Sequence, residues 1–394
     1  MTTPSLLGRV IRRSLLLLAL TVWAVAVRIP TGSIRESSFA QENLEKLSAA
    51  EFSRLVQDLS EEGGYFRSDN FTSNETSYLH IVDKLREMHI SGGAYIGVGP
   101  EQNFTYVAKI RPHIAFVVDI RRQAMLQQLL YKALFHTSEN RAQFLSNLLS
   151  RPLAGDGVPG KGSSTGRLVQ YFVSAPASAQ AFAANLGRVR KIIQGDFQFP
   201  LSEQDQERLQ YVYSAFHREG LEISFRIGGT NWGPTSFPTL KDLILQPDLN
   251  GNLGNFLATE EDYRFVRNLE LSNRIIPVVG DFAGPKALAS VGEYLRKNGY
   301  TVRAFYTSNV EQFLFQNGIF RAFVENVRKL PIDSDSVFIR AVPTRGQPHP
   351  ANVPGYRITT VLQQISVFLR DYDEGVYPDY RTLVTTHFIA GQQP

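Results

Sequence analysis

Two short apolar runs joined by a glycine-rich turn constrain the fold more than any other part of the sequence. Ala94 to Val98 and Ile114 to Val118 are continuous apolar runs, as buried parallel strands usually are. Gly97 and Gly99 allow a sharp turn and a close approach to a ligand after the first run. Asp119 follows the second run, 22 residues after Gly97, close to the roughly 20-residue spacing of a ribose-binding carboxylate. This stretch therefore predicts a nucleoside-binding βαβ unit.

The turn departs from the dinucleotide fingerprint at Gln102, where that fingerprint requires glycine or alanine beside the pyrophosphate. We therefore expect a cofactor without a pyrophosphate. The run Ile-Gly-Val-Gly-Pro-Glu (96–101), together with Asp119, resembles the first two motifs of class I S-adenosylmethionine-dependent methyltransferases. The resemblance implies that Asp119 holds the ribose of S-adenosylmethionine, and that the methionine end lies near Gly97, Gly99, Glu101 and Asn103. The alternative is an ordinary turn in which the glycines serve only geometry and Asp119 caps a helix.

Charge and cysteine content exclude several classes of function. The sequence has 394 residues, enough for one large domain or two, and a pI near 9.1. Its excess positive charge lies in residues 1–28, because without them 37 Lys and Arg face 37 Asp and Glu. No nucleic-acid partner is therefore expected. The absence of cysteine excludes disulfides, thiolate metal sites and a cysteine nucleophile.

The N-terminus carries a targeting pattern. Arg9, Arg12 and Arg13 precede 13 uncharged residues, Leu15 to Val27, and Ala24-Val25-Ala26 matches a cleavage site. The apolar run is shorter than the roughly 20 residues of a spanning helix. Residues 1–28 are thus predicted to be a signal peptide or an N-terminal membrane anchor, with a twin-arginine signal as a further alternative. The protein is expected to be exported, to the periplasm or outside the cell, or to be tethered to the membrane by this segment alone.

Alternating strand and helix patterns follow the first βαβ unit. Further strands are predicted at 225–228, 274–279, 301–306, 336–342 and 381–389, with helices between them, including one at 359–370. Residues 29–90 read as a linker and a helical N-terminal cap. Residues 91–394 are predicted to form an α/β, doubly wound and mostly parallel Rossmann-like sheet with a mainly helical insertion at about 136–270.

Polar residues after the later strands are candidates for the site. A polar loop from Gly63 to Glu75 lies where such enzymes often close over the cofactor, although it could simply be a surface loop with local turns. Asp281 resembles the acidic residue after the fourth strand of methyltransferases, which lies near the methyl donor and the acceptor, so the resemblance implies that Asp281 also contacts the cofactor. The alternative is that Asp281 simply bonds the following turn. Ser308 and Glu311 have capping-box spacing, so Ser308 could simply cap a helix. The seven histidines show no spacing that suits a metal. The residues expected to line the substrate pocket are Arg67, Phe282, Ser308 and Asn309.

Longer segments at 63–70, 97–106, 118–122, 278–286 and 308–312 are similar to an uncharacterised bacterial family with a methyltransferase-like Rossmann fold. The resemblance implies that fold but no established activity. Two functions remain open: an S-adenosylmethionine-dependent methyltransferase of unknown acceptor, or a non-catalytic module that binds a nucleoside-type small molecule or a partner. The sequence leaves the oligomeric state undetermined.

Overall fold

A six-stranded sheet forms the centre of the computed structural model, which describes residues 46–227, 237–343 and 347–391. The strands are β1 (Ser68–Asp69), β2 (Ala94–Gly97), β3 (Ile114–Asp119), β4 (Arg226–Ile227), β5 (Ile275–Val279), β6 (Val302–Ser308), β7 (Val337–Pro343) and β8 (Ile358–Gln364). The α-helices are α1 (Ala49–Leu59), α2 (Val82–Glu87), α3 (Gln102–Ile110), α4 (Arg122–His136), α5 (Arg141–Leu149), α6 (Thr165–Ser174), α7 (Ala179–Lys191), α8 (Glu203–Glu219), α9 (Leu240–Leu245), α10 (Glu260–Leu271), α11 (Ala287–Lys297), α12 (Val310–Gln316), α13 (Phe320–Val327), α14 (Ile365–Asp373) and α15 (Tyr380–Thr385).

The strand order of this sheet is that of a Rossmann-like fold. The order is β5-β3-β2-β6-β7-β8, and all neighbours are parallel except β7 and β8. Numbered along the chain, these six strands lie as 3-2-1-4-5-6, the order of a doubly wound sheet. The order reverses between β2 and β6. The predicted α/β class with a mostly parallel sheet is therefore confirmed.

The apolar runs that predicted the first strands are buried on both faces of the sheet. Every residue of β2, β3 and β5 is buried, as expected for strands covered on both sides. Helix α4 packs against β3 and β5. The chain between β3 and β5 is mainly helical, from α4 to α10, and it includes the short strand β4.

Two predictions near the C-terminus are wrong. Residues 358–364 form strand β8 rather than the start of a helix, because Ile358, Thr359, Thr360 and Val361 are β-branched and pair with β7. Residues 380–385 form helix α15 instead of a strand, since the Asp379 side chain accepts the Thr382 N–H at 2.8 Å and caps a helix.

The short strand β4 lies outside the main sheet and pairs antiparallel with β1. Strand β5 is consequently the third strand of the main sheet and lies at its edge. Asp281 therefore follows the third strand, and its expected position after the fourth strand is wrong. The fourth strand is β6, which ends at Ser308.

The N-terminal region is described only from residue 46. The predicted signal or anchor at 1–28 and the start of the linker lie outside the described residues, so export or tethering stays a prediction. Among the described residues, no helix is long and apolar enough to cross a membrane. Helix α1 begins with a capping box, in which the Glu51 N–H donates to the Ser48 hydroxyl and the Ser48 N–H to the Glu51 carboxylate.

Candidate functional site

A cavity of about 210 Å³ lies beyond the carboxyl ends of β2, β3, β5 and β6. It includes the place where the strand order reverses, which is where ligands bind in open α/β sheets. Six of the predicted site residues line it: Gly99, Asp119, Asp281, Phe282, Ser308 and Asn309. Four do not: Gly97, Glu101, Asn103 and Arg67, of which Arg67 is exposed to solvent.

Asn103 holds the glycine turn together from inside the protein. Its amide nitrogen lies 3.0, 3.1 and 2.8 Å from the carbonyl oxygens of Val98, Gly99 and Pro100, and its amide oxygen accepts the Tyr95 hydroxyl at 2.9 Å. The side chain is fully buried and its hydrogen-bonding groups are occupied. The expected contact between Asn103 and a cofactor is therefore replaced by a structural role.

Gly97 and Gly99 are glycines for different reasons. A Cβ atom on Gly97 would lie 2.0 Å from the Asn103 amide oxygen, so this position admits no side chain. Gly99 has a φ of +83° and lines the cavity, with nothing within 4 Å of where its Cβ would be. Of these two glycines, only Gly99 therefore presents its backbone to the cavity.

We expect Asn103→Ala to lower the free energy of unfolding by roughly 1–3 kcal/mol, because buried carbonyl groups of the turn lose their donor. Urea denaturation of the full chain measures the change. The control is Asn317→Ala at an exposed position, which we expect to stay within about 0.5 kcal/mol of wild type. An Asn103→Ala protein as stable as this control would contradict the structural role.

Asp119 is paired with a neighbour from its own loop. The Arg121 side chain donates to it through Nε at 3.0 Å and Nη2 at 2.8 Å, and the Arg121 N–H donates to the Oδ1 atom at 2.9 Å. A carboxylate offers about four lone-pair positions, and these three bonds leave one, on Oδ2. Asp119 lines the cavity as predicted, but it can accept one ribose hydroxyl there rather than two.

Glu75, which the sequence analysis did not single out, forms the polar floor of the cavity. Its side chain is 2% exposed, and it is hydrogen-bonded to the Ser308 hydroxyl and to the Gln102 amide, the latter at 2.9 Å. Burial raises the pKa of Glu75. Gln102, which departs from the dinucleotide fingerprint, thus holds a carboxyl group in place. The polar Gly63–Glu75 loop was the only sequence feature that indicated this residue.

A second buried carboxyl group lies behind the first. The Glu101 Oε1 atom accepts the Ser73 N–H at 3.1 Å, and Oε2 has no hydrogen-bond partner among the described residues. Burial raises the pKa of Glu101 to about 7, and the nearby charge of Glu75 acts in the same direction. Glu101 is therefore a neighbour of the cavity floor rather than a direct ligand of a cofactor.

The other strand ends contribute turn-forming and aromatic residues. The Asp281 Oδ1 atom accepts the Ala283 N–H at 2.9 Å, which is the local bond that the alternative interpretation expected. Ser308 has a φ of +53° and bonds Glu75, so its predicted helix capping box does not form. The Phe66 and Phe313 rings meet edge to face, with centroids 5.0 Å apart, on the cavity wall. Among the described residues, no cluster of histidine and acidic side chains could hold a metal ion.

The comparison with protein families decides the family of this chain. A family described as a domain of unknown function (DUF7790) matches residues 70–153 and 165–388. The chain belongs to this family. The DUF7790 match covers every residue that lines the cavity except Tyr65 and Phe66. A search of curated proteins found no match.

Proposed function

We propose that this DUF7790 protein binds a nucleoside-type small molecule in the cavity, with S-adenosylmethionine as the first candidate and methyl transfer as the reaction to test. The observation that carries the proposal is the cavity at the strand-order reversal, with Gly99 and Asp119 on its wall. The acceptor is unassigned, because the polar residues after β5 and β6 fit no particular acceptor chemistry.

The cavity size argues against a dinucleotide, and the cavity would enclose the nucleoside part of S-adenosylmethionine rather than the whole molecule. Sites for drug-sized ligands usually have volumes of about 300–1,000 Å³, and this cavity has about 210 Å³. In the proposal, the backbone of Gly99 lies against the ligand. The free lone pair of the Asp119 Oδ2 atom accepts a hydrogen bond from a ribose hydroxyl. Asp281 and Asn309 lie on the acceptor side. Methyl transfer depends mainly on in-line positioning, so the proposal needs no general base.

A non-catalytic binding module is the second candidate. Hydrogen bonds from Arg121 use most of the acceptor positions of the Asp119 carboxylate, and the Asn103 amide donates to carbonyl groups of the glycine turn. Both observations favour a site that has kept the Rossmann-like frame with fewer contacts to a cofactor. This candidate predicts ligand binding without turnover.

Calorimetry of the full chain with S-adenosylmethionine and S-adenosylhomocysteine tests the proposal. We expect both to bind, and Gly99→Ala to weaken binding by about tenfold or more, since the new methyl group strains a residue that lines the cavity. Gly299→Ala is a matched control, because Gly299 has a φ of +71° and equally open surroundings but lies outside the cavity. This control should leave the affinity unchanged.

The outcomes separate the two candidates. If neither S-adenosylmethionine nor S-adenosylhomocysteine binds, S-adenosylmethionine is not the ligand. Binding without methyl transfer to any acceptor tested would favour the non-catalytic module. Equal losses of affinity in Gly99→Ala and Gly299→Ala would indicate that the ligand lies elsewhere.

A further inference from the structure

The cavity wall carries more negative than positive groups. Its acidic side chains are Glu75, Asp119 and Asp281, and Arg121 is the one Lys or Arg among the described lining residues. The Arg121 guanidinium is already engaged, since Nε and Nη2 donate to Asp119 and Nη1 donates to the Ser68 carbonyl at 2.8 Å. A phosphate in the cavity would therefore meet carboxyl groups without a free lysine or arginine to balance its charge.

The most buried of the acidic groups that line the cavity, Glu75, has no cationic partner among the described residues. Glu75 is held by neutral donors, which are the Ser308 hydroxyl, the Gln102 amide and the Tyr306 hydroxyl. Glu101 lies close behind it, bonded through Oε1 to the backbone of Ser73, which itself lines the cavity, while Oε2 stays unpartnered within the described chain. A buried carboxyl pair of this kind is stabilised by a positive charge that enters the cavity.

Aromatic rings line the same cavity. Phe66, Phe313 and Tyr306 are all on its wall, and the Tyr306 hydroxyl lies 3.0 Å from the Gln102 amide that holds Glu75. Aromatic faces attract organic cations, most strongly where water is excluded. Carboxyl groups combined with aromatic rings suit an alkylated cation better than a small metal ion, which prefers several oxygen ligands.

We propose that the cavity selects nucleoside-type ligands that carry an alkyl cation, a sulfonium or a substituted ammonium group, and that Glu75 contacts this cation. The inference rests on the proposed function, because it assigns the charge of the ligand in the same site. Neutral nucleosides are then expected to bind more weakly than cationic ones, and nucleotides, which are anionic, most weakly.

Binding of the cation should be coupled to proton release. Because burial raises the pKa of Glu75, the free protein holds a proton there to higher pH than usual, and a bound cation favours the ionised form. Affinity for a cationic ligand therefore rises with pH while affinity for a neutral one does not. The titratable groups that face Glu75 or influence it are Glu101, Tyr95, Tyr106, Tyr306 and Tyr380.

Three compounds with the same base and ribose test the inference by calorimetry on the full chain. They are 5′-amino-5′-deoxyadenosine, which is cationic, adenosine, which is neutral, and adenosine 5′-monophosphate, which is anionic. We expect the amine to bind about tenfold more tightly than adenosine and the phosphate to bind more weakly than adenosine. Repeating the amine titration in buffers of different ionisation enthalpy should show proton release on binding.

Glu75→Gln identifies the residue responsible. We expect this variant to lose both the preference for the amine over adenosine and the proton release on binding. Glu139→Gln, at an exposed position outside the cavity, removes the same charge and should keep both. If Glu75→Gln does not fold, the affinities of the wild-type protein for the three compounds, and their pH dependence, still test whether the cavity selects a cation.

The results distinguish this inference from the proposed function. Equal binding of the three compounds, or tightest binding of the phosphate, would overturn the charge selection and leave nucleoside binding intact. A preference for the amine that survives in Glu75→Gln would overturn the role of Glu75. Absence of binding by all three compounds would remove the proposed function and this inference with it.

Discussion

Replacing Lys132 by methionine is expected to lower the free energy of unfolding by about 3–5 kcal/mol. Lys132 and Glu270 form an ion pair between side chains that are 1% and 2% exposed, with the Nζ atom 3.4 Å from the Oε2 atom. Nζ is also hydrogen-bonded to the Glu270 carbonyl and lies 4.5 Å from the ring centroid of Phe52 in α1. Methionine keeps the apolar stem but leaves a buried carboxylate without its partner, which is why the cost is large.

The cost of Lys132→Met should depend on pH. Burial already raises the pKa of Glu270 in the wild type, and loss of the lysine charge raises it further. A carboxyl group whose pKa is higher in the folded than in the unfolded state loses stability as pH rises through the folded value. The folded wild type has a Glu270 pKa of about 7, so the extra loss in the variant begins above about pH 7 and amounts to up to about 1.4 kcal/mol per pH unit until its own higher pKa is reached. The variant should therefore be further below wild type in stability at pH 8 than at pH 5.

Urea denaturation of the full chain at both pH values measures these changes. The double variant Lys132→Met, Glu270→Leu should recover most of the loss, because a buried ion pair can often be replaced by apolar residues at little cost. The control is Lys241→Met, which breaks the surface pair with Glu222 and should change stability by about 0–1 kcal/mol. A Lys132→Met protein that unfolds like Lys241→Met at pH 8 would contradict the argument.

The fold could be predicted from the sequence where local pattern and tertiary environment agree. Strands β2, β3 and β5 are continuous apolar runs because both faces of each strand are buried. The segment at 358–364 was less clear, since Ile358, Thr359, Thr360 and Val361 lead directly into a helix beginning at Ile365 and the apolar periodicity continues across the boundary. The position of β5 as the third strand depended on β4 leaving the main sheet, which no local pattern shows.

Site residues could be predicted where they belong to the glycine turn or lie at or just after the end of a strand, as Gly99, Asp119, Asp281, Phe282, Ser308 and Asn309 do. Gly99 and Asp119 line the cavity as their spacing indicated. The partners of polar side chains depend on distant segments, as with Glu75, which meets Ser308 from 233 positions along the chain. Arg121 lies two residues after Asp119, and its guanidinium also donates to the Ser68 carbonyl of another element. Such contacts leave no periodic pattern in the sequence.

A buried arginine on β7, the strand between β6 and β8, gives the second large expected effect. Arg340→Met should lower the free energy of unfolding by about 3–5 kcal/mol. Arg340 is 1% exposed, and its Nε atom lies 3.0 and 2.8 Å from the two carboxylate oxygens of Glu311, which is fully buried. Its Nη1 atom donates to the Gln363 side chain at 2.6 Å, and the guanidinium lies 4.5 Å from the Phe338 ring centroid. Removing the arginine leaves the buried Glu311 carboxylate without its cationic partner.

The same variant should disturb the cavity, because Glu311 belongs to α12 and the neighbouring Val310, Phe313 and Leu314 line the cavity wall. We expect Arg340→Met to weaken ligand binding as well as folding, measured by calorimetry below the unfolding transition. Arg340→Lys keeps the charge but loses the planar, multiply bonded guanidinium, so its loss of stability should be intermediate. Arg303→Met breaks a partly exposed pair with Asp333 and should cost about 0–1 kcal/mol. If Arg340→Met and Arg303→Met unfold at the same urea concentration, Arg340 does not hold α12 against the sheet in the way that its contacts indicate.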